Sequence, residues 1–299
     1  MPSEPCDPLI KQGYQFFSQT SSAALKPCMW CKRALSGGDM CYKHQFYGIA
    51  SHRCVQMTPT LRCNQRCRFC WRSFEHEFAE EEECPPEMIL AGMHKLQKKA
   101  LAGYNAVLDN SVTEERWQEA LEPKHVAISL SGEPTLYSQL PDLISLFKKK
   151  GYTTFLVSNG TNPAMLARCH PYQMYVSLDA PDPATYRDIC RPLGDYWERI
   201  QESLALLGTR RSAVRITLVR GLNDIAPEKY AGLLQDSGPT FVEVKGYMYL
   251  GYSRYRLKRE NMPEHEKVRD FAEKIAAACD YHVHDENRLS RVVCLERVA

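Results

Sequence analysis

Cys63, Cys67 and Cys70 stand in the stretch RCNQRCRFCW at C-x3-C-x2-C spacing. Three thiolates on a short loop can hold three irons of a [4Fe–4S] cluster and leave the fourth iron open. An open coordination position marks a site that does chemistry rather than one that only staples a fold. Zinc fits this loop poorly, because zinc sites usually show paired C-x2-C units and no fourth cysteine lies close by in sequence.

Four more cysteines, Cys28, Cys31, Cys41 and Cys54, crowd in upstream. Cys28, Cys41 and Cys54 are each 13 residues from the next. They could hold a second cluster with its own open iron, whereas Cys28 and Cys31 form a C-x2-C pair that could serve zinc. Spacing alone does not choose between Cys28 and Cys31. The chain has 13 cysteines in 299 residues. Disulfide-rich proteins are mostly small and secreted, so reduced thiolates holding metal are the better reading.

These residues need a scaffold. Residues 1–55 show little periodicity and read as an irregular segment folded around metal. From residue 56 short apolar runs alternate with helical patterns. The strand candidates are 55–61, 125–132, 153–160, 173–180, 213–221 and 240–251. The helical patterns cover 86–103, 139–150, 162–169, 195–208, 226–235 and 263–279, the last with Val268, Phe271, Ile275 and Ala278 at helical spacing. Alternating strands and helices imply an α/β fold with a parallel sheet. Six units suggest a partial (β/α)6 TIM-type barrel, with an open doubly wound sheet as the alternative. Either fold places the reactive site at the C-terminal ends of the strands. The expected division is 1–55, carrying the second cysteine set, 56–251 as the core, and 252–299 as a C-terminal extension ending in two short strands. The charge run at 77–84 reads as a solvated loop or helix lead-in.

The three-cysteine loop, with Phe69 at the aromatic position before Cys70, resembles the signature of the radical S-adenosylmethionine superfamily. The resemblance implies that the open iron binds S-adenosylmethionine, and that one-electron reduction yields a 5′-deoxyadenosyl radical. SLSGEPTL (129–136) resembles the superfamily's Gly-Gly-Glu motif, with Ser131 in place of the first glycine. Gly132, Glu133 and Pro134 would then bind the cofactor, as would Asn159 in VSNGT, Ser177 and Asp179 in SLDAPD, and Asn223 in ITLVRGLND. Each of these polar residues at a strand end has an alternative role as a helix cap or turn residue.

MCYKHQFYGIASHRCVQMTPTLRCNQRCRFCWR (40–72) resembles more narrowly the 4-demethylwyosine synthase family, and the similarity extends over roughly residues 25–255. It implies two [4Fe–4S] clusters, the second held by Cys28, Cys41 and Cys54, with Cys31 left over. It implies a substrate, N1-methylguanosine at position 37 of tRNA-Phe, and pyruvate as the donor of two carbons to a tricyclic base. It implies that Lys43 forms a Schiff base with pyruvate. An amine two residues from a cluster ligand can reach a ketone bound there. An anionic cluster also favours the protonated amine, so charge balance is the competing role.

Net charge is +2 at pH 7, which excludes an unstructured polybasic binder but not a locally basic face. YSRYRLKRE (252–260) offers Arg254, Arg256, Lys258 and Arg259 for an RNA backbone, with tyrosines between them for stacking. No apolar run reaches a membrane span and the N-terminus has no signal-peptide pattern, so a cytoplasmic monomer is expected. The chain looks like the archaeal single-domain form of the family, supplied by an external electron donor. The alternatives are a two-cluster radical enzyme with another substrate and a zinc-stabilised RNA-binding module.

Overall fold

A computed structural model describes residues 7–74, 82–107 and 112–298. The chain divides into two compact units. The first comprises residues 1–62, 76–157 and 168–172, and the second residues 63–75, 158–167 and 173–299. Most of the charge run at 77–84 lies outside the described residues. Within it, Glu83 Oε1 accepts the Ser138 amide at 2.8 Å.

The first unit runs α1 (Asp7–Lys11), β1 (Gln15–Phe16), β2 (Ala24–Leu25), α2 (Met29–Leu35), α3 (Tyr42–Tyr47), β3 (Cys54–Thr58), α4 (Pro86–Leu101), α5 (Glu114–Leu121), β4 (His125–Ile128), α6 (Leu140–Lys149) and β5 (Thr153–Ser158). Strands β3, β4 and β5 pair in parallel, and the β1–β2 hairpin adds antiparallel to β3. Val55, Met57, Val126, Ile128 and Leu156 are fully buried on these strands, as are Ile89 and Met93 on α4 and Leu143 and Phe147 on α6. Near-continuous apolar strands are what a parallel sheet covered on both faces requires.

The second unit holds most of α7 (Pro163–Arg168), then β6 (Gln173–Ser177), α8 (Pro183–Cys190), α9 (Trp197–Ala205), β7 (Ser212–Leu218), α10 (Pro227–Ser237), β8 (Phe241–Gly246), α11 (His265–Ala276), β9 (Tyr281–Asn287) and β10 (Val292–Arg297). Strands β6, β7 and β8 are parallel, β10 joins β8 antiparallel, and β9 pairs with β10. On α11, Val268, Phe271 and Ile275 face the core as the spacing predicts, whereas Ala278 lies beyond the helix end. The architecture is α/β with predominantly parallel strands, and six βα strands sit where six are expected.

The strands nevertheless end earlier than their apolar runs suggest. β3 stops at Thr58, β4 at Ile128 and β8 at Gly246. The residues after them form the loops that carry the candidate site. Residues 7–55 also hold more regular structure than expected: α2 begins directly after Cys28, and α3 directly after Cys41.

Candidate active site

In the first unit Cys28 is the N-cap of α2, and its Sγ accepts the Cys31 amide at 3.3 Å. Cys41 is the N-cap of α3. Ser51 brackets it, with Oγ accepting the Cys41 amide at 2.9 Å and donating to its Sγ at 3.3 Å. Cys54 opens β3. Burial pushes the Cys28 thiol up, the neighbouring Cys41 thiol adds to this, and Lys43 opposes it. Burial likewise pushes Cys54 up, reinforced by Cys28 and Cys41 and countered by Lys43. Cys28, Cys41, Cys54 and Lys43 are thus brought together. Lys43 Nζ lies 4.6 Å from the centroid of the Phe155 ring on β5. All three cysteines are free thiols and partly exposed. Ligands placed at helix N-termini favour thiolate once a metal is present.

Cys31 lies beside the same thiols: after burial, Cys28, Cys54 and Cys41 push its own thiol up. It is fully buried and packs with Leu35, Leu101 and Trp117. Cys31 belongs to the hydrophobic face of α2, along with Ala34 and Leu35. That i, i+3, i+4 spacing was available in the sequence.

Gly132 has φ +78°, and a Cβ there would stand 2.2 Å from the Thr60 carbonyl oxygen, so only glycine fits. The next amide, of Glu133, donates to the Arg62 carbonyl at 2.7 Å. The loop is thereby laid along residues 60–62, the lead into the three-cysteine loop. Glu133 is buried, and its Oε1 accepts from the Thr135 amide at 3.0 Å and the Thr135 hydroxyl at 2.7 Å, capping the turn Pro134–Leu136. Ser131 Oγ is buried without a hydrogen-bond partner among the described residues. An orphaned hydroxyl beside a carboxylate suits a polar ligand such as S-adenosylmethionine.

In the second unit the three-cysteine loop is held as a ribbon against the end of α8. Arg66 donates its amide to the carbonyls of Cys190 and Arg191, and Arg68 donates to Ile189. Cys190, buried at the end of α8, is hydrogen-bonded to Cys67. That bond pushes the Cys67 thiol up, with burial and the neighbouring Cys70 and Asp179 adding to it. A fourth cysteine is therefore beside the loop after all, brought there by the fold from far along the chain. Gln65 Oε1 lies 3.3 Å from Cys67 Sγ.

Asn159 sits next to this loop, donating to Asn64 Oδ1 at 2.8 Å while its own Oδ1 accepts from Thr161. Ser177 and Asp179 line a narrow cavity with Asn159, Gln65 and Cys190. Asp179 Oδ1 accepts the Thr217 amide at 2.6 Å. Burial raises its carboxyl to about 6, against the pull of Thr217 and Arg215. Asn223 departs from the expected role. It is fully buried, its amide N–H groups donate to the carbonyls of Asp179 and Thr217, and its Oδ1 accepts the Val219 amide. With both donors spent on main chain, it fixes the Asp179 loop rather than facing a ligand.

Sequence reasoning missed a polar sheet face in this unit. Ser177, Arg215 and Glu243 are in register on β6, β7 and β8. Glu243 is fully buried, yet it receives Arg215 Nη2 at 2.8 Å and the Tyr175 hydroxyl at 3.0 Å. The signal was present as charges inside apolar strands, AVRITL and FVEVKG.

The basic segment 254–259 divides. Arg254, Lys258 and Arg259 are exposed. Arg256 is not an available phosphate ligand: its guanidinium donates to the carbonyls of Arg68, Cys70 and Arg72 and stacks 4.1 Å from the Phe74 ring centroid. It clamps the cysteine loop. Gly251 serves the same contact, since a Cβ there would lie 2.4 Å from the Trp71 carbonyl oxygen.

Residues 57–234 match the family model for the radical SAM superfamily, and residues 236–297 match the model for wyosine base formation. The chain is 45% identical to the S-adenosyl-L-methionine-dependent tRNA 4-demethylwyosine synthase of Pyrococcus abyssi, over 99% of this chain and 90% of that protein. It is 41% identical to the protein of that name from Methanocaldococcus jannaschii, over 99% of this chain and 96% of that one. Among solved structures it resembles one described as TYW1 with a lysine-pyruvate adduct bound, with a TM-score of 0.91 and 40% identity, covering 99% of this chain and 96% of that one.

Proposed function

The chain belongs to the family of S-adenosyl-L-methionine-dependent tRNA 4-demethylwyosine synthases, and from that premise we propose how its residues divide the work. As a radical SAM enzyme of wyosine formation it uses a [4Fe–4S] cluster and S-adenosylmethionine. We assign that cluster to Cys63, Cys67 and Cys70, and a second [4Fe–4S] cluster to Cys28, Cys41 and Cys54. Held there, the first cluster would supply the one electron needed to cleave S-adenosylmethionine, and the second would supply Lewis-acid iron for binding pyruvate. The donor sets fit these groups, being unbridged, convergent, partly exposed thiols.

The substrate assigned is N1-methylguanosine at position 37 of tRNA-Phe, a base in a single-stranded loop that can be splayed into a pocket. Gly132, with the orphaned Ser131 hydroxyl and the buried Glu133, receives the amino-acid end of S-adenosylmethionine. Asn159, Ser177 and Asp179 line the cavity beside the three-cysteine loop. Lys43 condenses through its amine with the pyruvate ketone, releasing water, and holds the two-carbon donor as an imine. Arg254, Lys258 and Arg259 grip phosphates, with the exposed Tyr255 beside them for stacking. An external one-electron donor completes the cycle.

One observation carries this reading. Lys43 and three thiols beyond the radical SAM set converge in the first unit, and a close relative is described with a lysine-pyruvate adduct. The test is an anaerobic reaction with tRNA-Phe, S-adenosylmethionine, pyruvate and dithionite, followed by mass spectrometry of the nucleosides. The tricyclic base should form only with pyruvate. Cys28→Ala, Cys41→Ala and Cys54→Ala should each drop iron from about eight to about four per chain and abolish product while S-adenosylmethionine is still cleaved. Full iron in all three variants, or product without pyruvate, refutes the assignment.

A further inference from the structure

The β9–β10 hairpin carries a cluster that the proposed reaction does not use. The ladder sets His282 opposite Glu296. Between Cys294 and Leu295 the pairing passes over one residue of β9, so His284 is the extra residue of a bulge. Bulges re-aim side chains. Here the alternation of β9 breaks: Tyr281 is buried, whereas His282, Val283 and His284 are all exposed. His284 Nδ1 comes within 2.8 Å of Glu296 Oε2. One donor atom from each of His282, His284 and Glu296 lies within 4.8 Å of the other two. The His284 ring rests against Phe241 of β8, with centroids 6.1 Å apart, which restricts its rotation.

We propose that His282, His284 and Glu296 form a binding site for a divalent transition metal of the zinc type, separate from both cysteine sets. Two imidazoles and one carboxylate suit zinc and its borderline neighbours, whereas calcium and magnesium require oxygen donors throughout. Bonds of about 2.1 Å in tetrahedral geometry put donors roughly 3.4 Å apart. His284 and Glu296 offer donors 2.8 Å apart and all three donors lie within 4.8 Å of one another, so rotation of the exposed His282 imidazole about χ1 and χ2 can complete that spacing. The simpler reading is a surface ion pair. It accounts for His284 and Glu296, but not for His282 brought into the same cluster opposite Glu296. Three protein donors leave one position open for water or an anion. Two neutral imidazoles and one carboxylate would give the loaded site a net charge of +1 on the hairpin surface. The metal would also tie β9, at the edge of its sheet, to β10.

The test uses the cluster-loaded enzyme under anaerobic conditions, titrated with Zn2+ in a calorimeter. Absorbance near 400 nm is followed to verify that the cysteines stay occupied. One saturable Zn2+ per chain is expected. His282→Ala and His284→Ala should each weaken it by more than about tenfold, as loss of a ligand does. Glu296→Gln, which keeps the side-chain shape, should weaken it as well. Saturating Zn2+ should raise the thermal midpoint of the native chain but not of the histidine variants. The proposal is overturned if the native chain shows no saturable site, or if His282→Ala binds Zn2+ as tightly as the native chain does.

Discussion

Arg256→Met tests whether the basic segment reads RNA or holds the cysteine loop. The guanidinium gives Nε to the Arg68 carbonyl at 3.3 Å, Nη2 to those of Cys70 and Arg72, and its face to Phe74. The site is half-buried, so water can replace part of what is lost. Each hydrogen bond then counts for about 1 kcal/mol rather than the larger value of a fully buried charged bond. The ring contact adds about 0.5 kcal/mol. The total, roughly 3.5 kcal/mol, corresponds to a shift of about 300-fold between held and open loop. Anaerobic iron release to a chelator should therefore quicken by about 300-fold in Arg256→Met, although all the cysteines remain. Arg256→Lys should recover only part of this, since one ammonium cannot span three carbonyls. The salt dependence of tRNA binding should not change. A residue that contacts phosphate would instead lower that slope by about 0.7 to 0.9, as Arg254→Glu is expected to do without loss of iron. An Arg256→Met protein with native iron retention and a salt slope lowered by that amount would refute the clamp.

Cys31→Ala should leave the iron content unchanged and cost about 1 kcal/mol of stability by denaturant melts, the price of a small core cavity. Once iron binds Cys67 its thiolate can only accept, so Cys190 donates. Cys190→Ala, removing a hydrogen bond of about 1 kcal/mol, should lower the potential of that cluster by about 40 mV in an EPR-monitored titration. His125 is pushed down to about 4 by burial and then by Arg53, Lys124 and His52. A depressed histidine binds more protons unfolded than folded, so its contribution is intact above pH 6.5 and is lost as pH falls towards 4. His125→Gln should therefore lose less stability than the native chain between pH 7 and pH 4.5, measured by urea unfolding at each pH.

The sequence made the strands and most helices legible because burial on both faces leaves runs such as HVAISL and TTFLVS. It overran their C-terminal ends, because hydrophobicity does not reveal where a backbone leaves the sheet. At Gly132 the stop is imposed by contact with residues 60–62, a tertiary fact. α8 was overlooked although Asp182 and Pro183 form a regular N-cap and N1 pair. The cysteines were legible by spacing, since ligands near in sequence must be near in space. Cys190 and Arg256 were not, because each reaches the cysteine loop from more than a hundred residues away. Asn223 and Glu133 show the limit of reading residue type alone: a polar residue at a strand end binds the loop's own backbone before any ligand.

The two cysteine sets face the same electrostatic problem. Burial and neighbouring thiols push Cys28 and Cys54 up in one unit and help push Cys67 up in the other. Iron held at either set, as proposed, would supply positive charge against that push, and each ligand bond formed would release a proton. In the first unit Lys43 opposes the upward push on both Cys28 and Cys54. If its amine condenses with pyruvate, its position over Phe155 matters as much as its charge, because the ring face holds it beside the thiols. Substituting arginine would keep the charge and lose the nucleophile. Charge balance and covalent chemistry at position 43 are therefore separable.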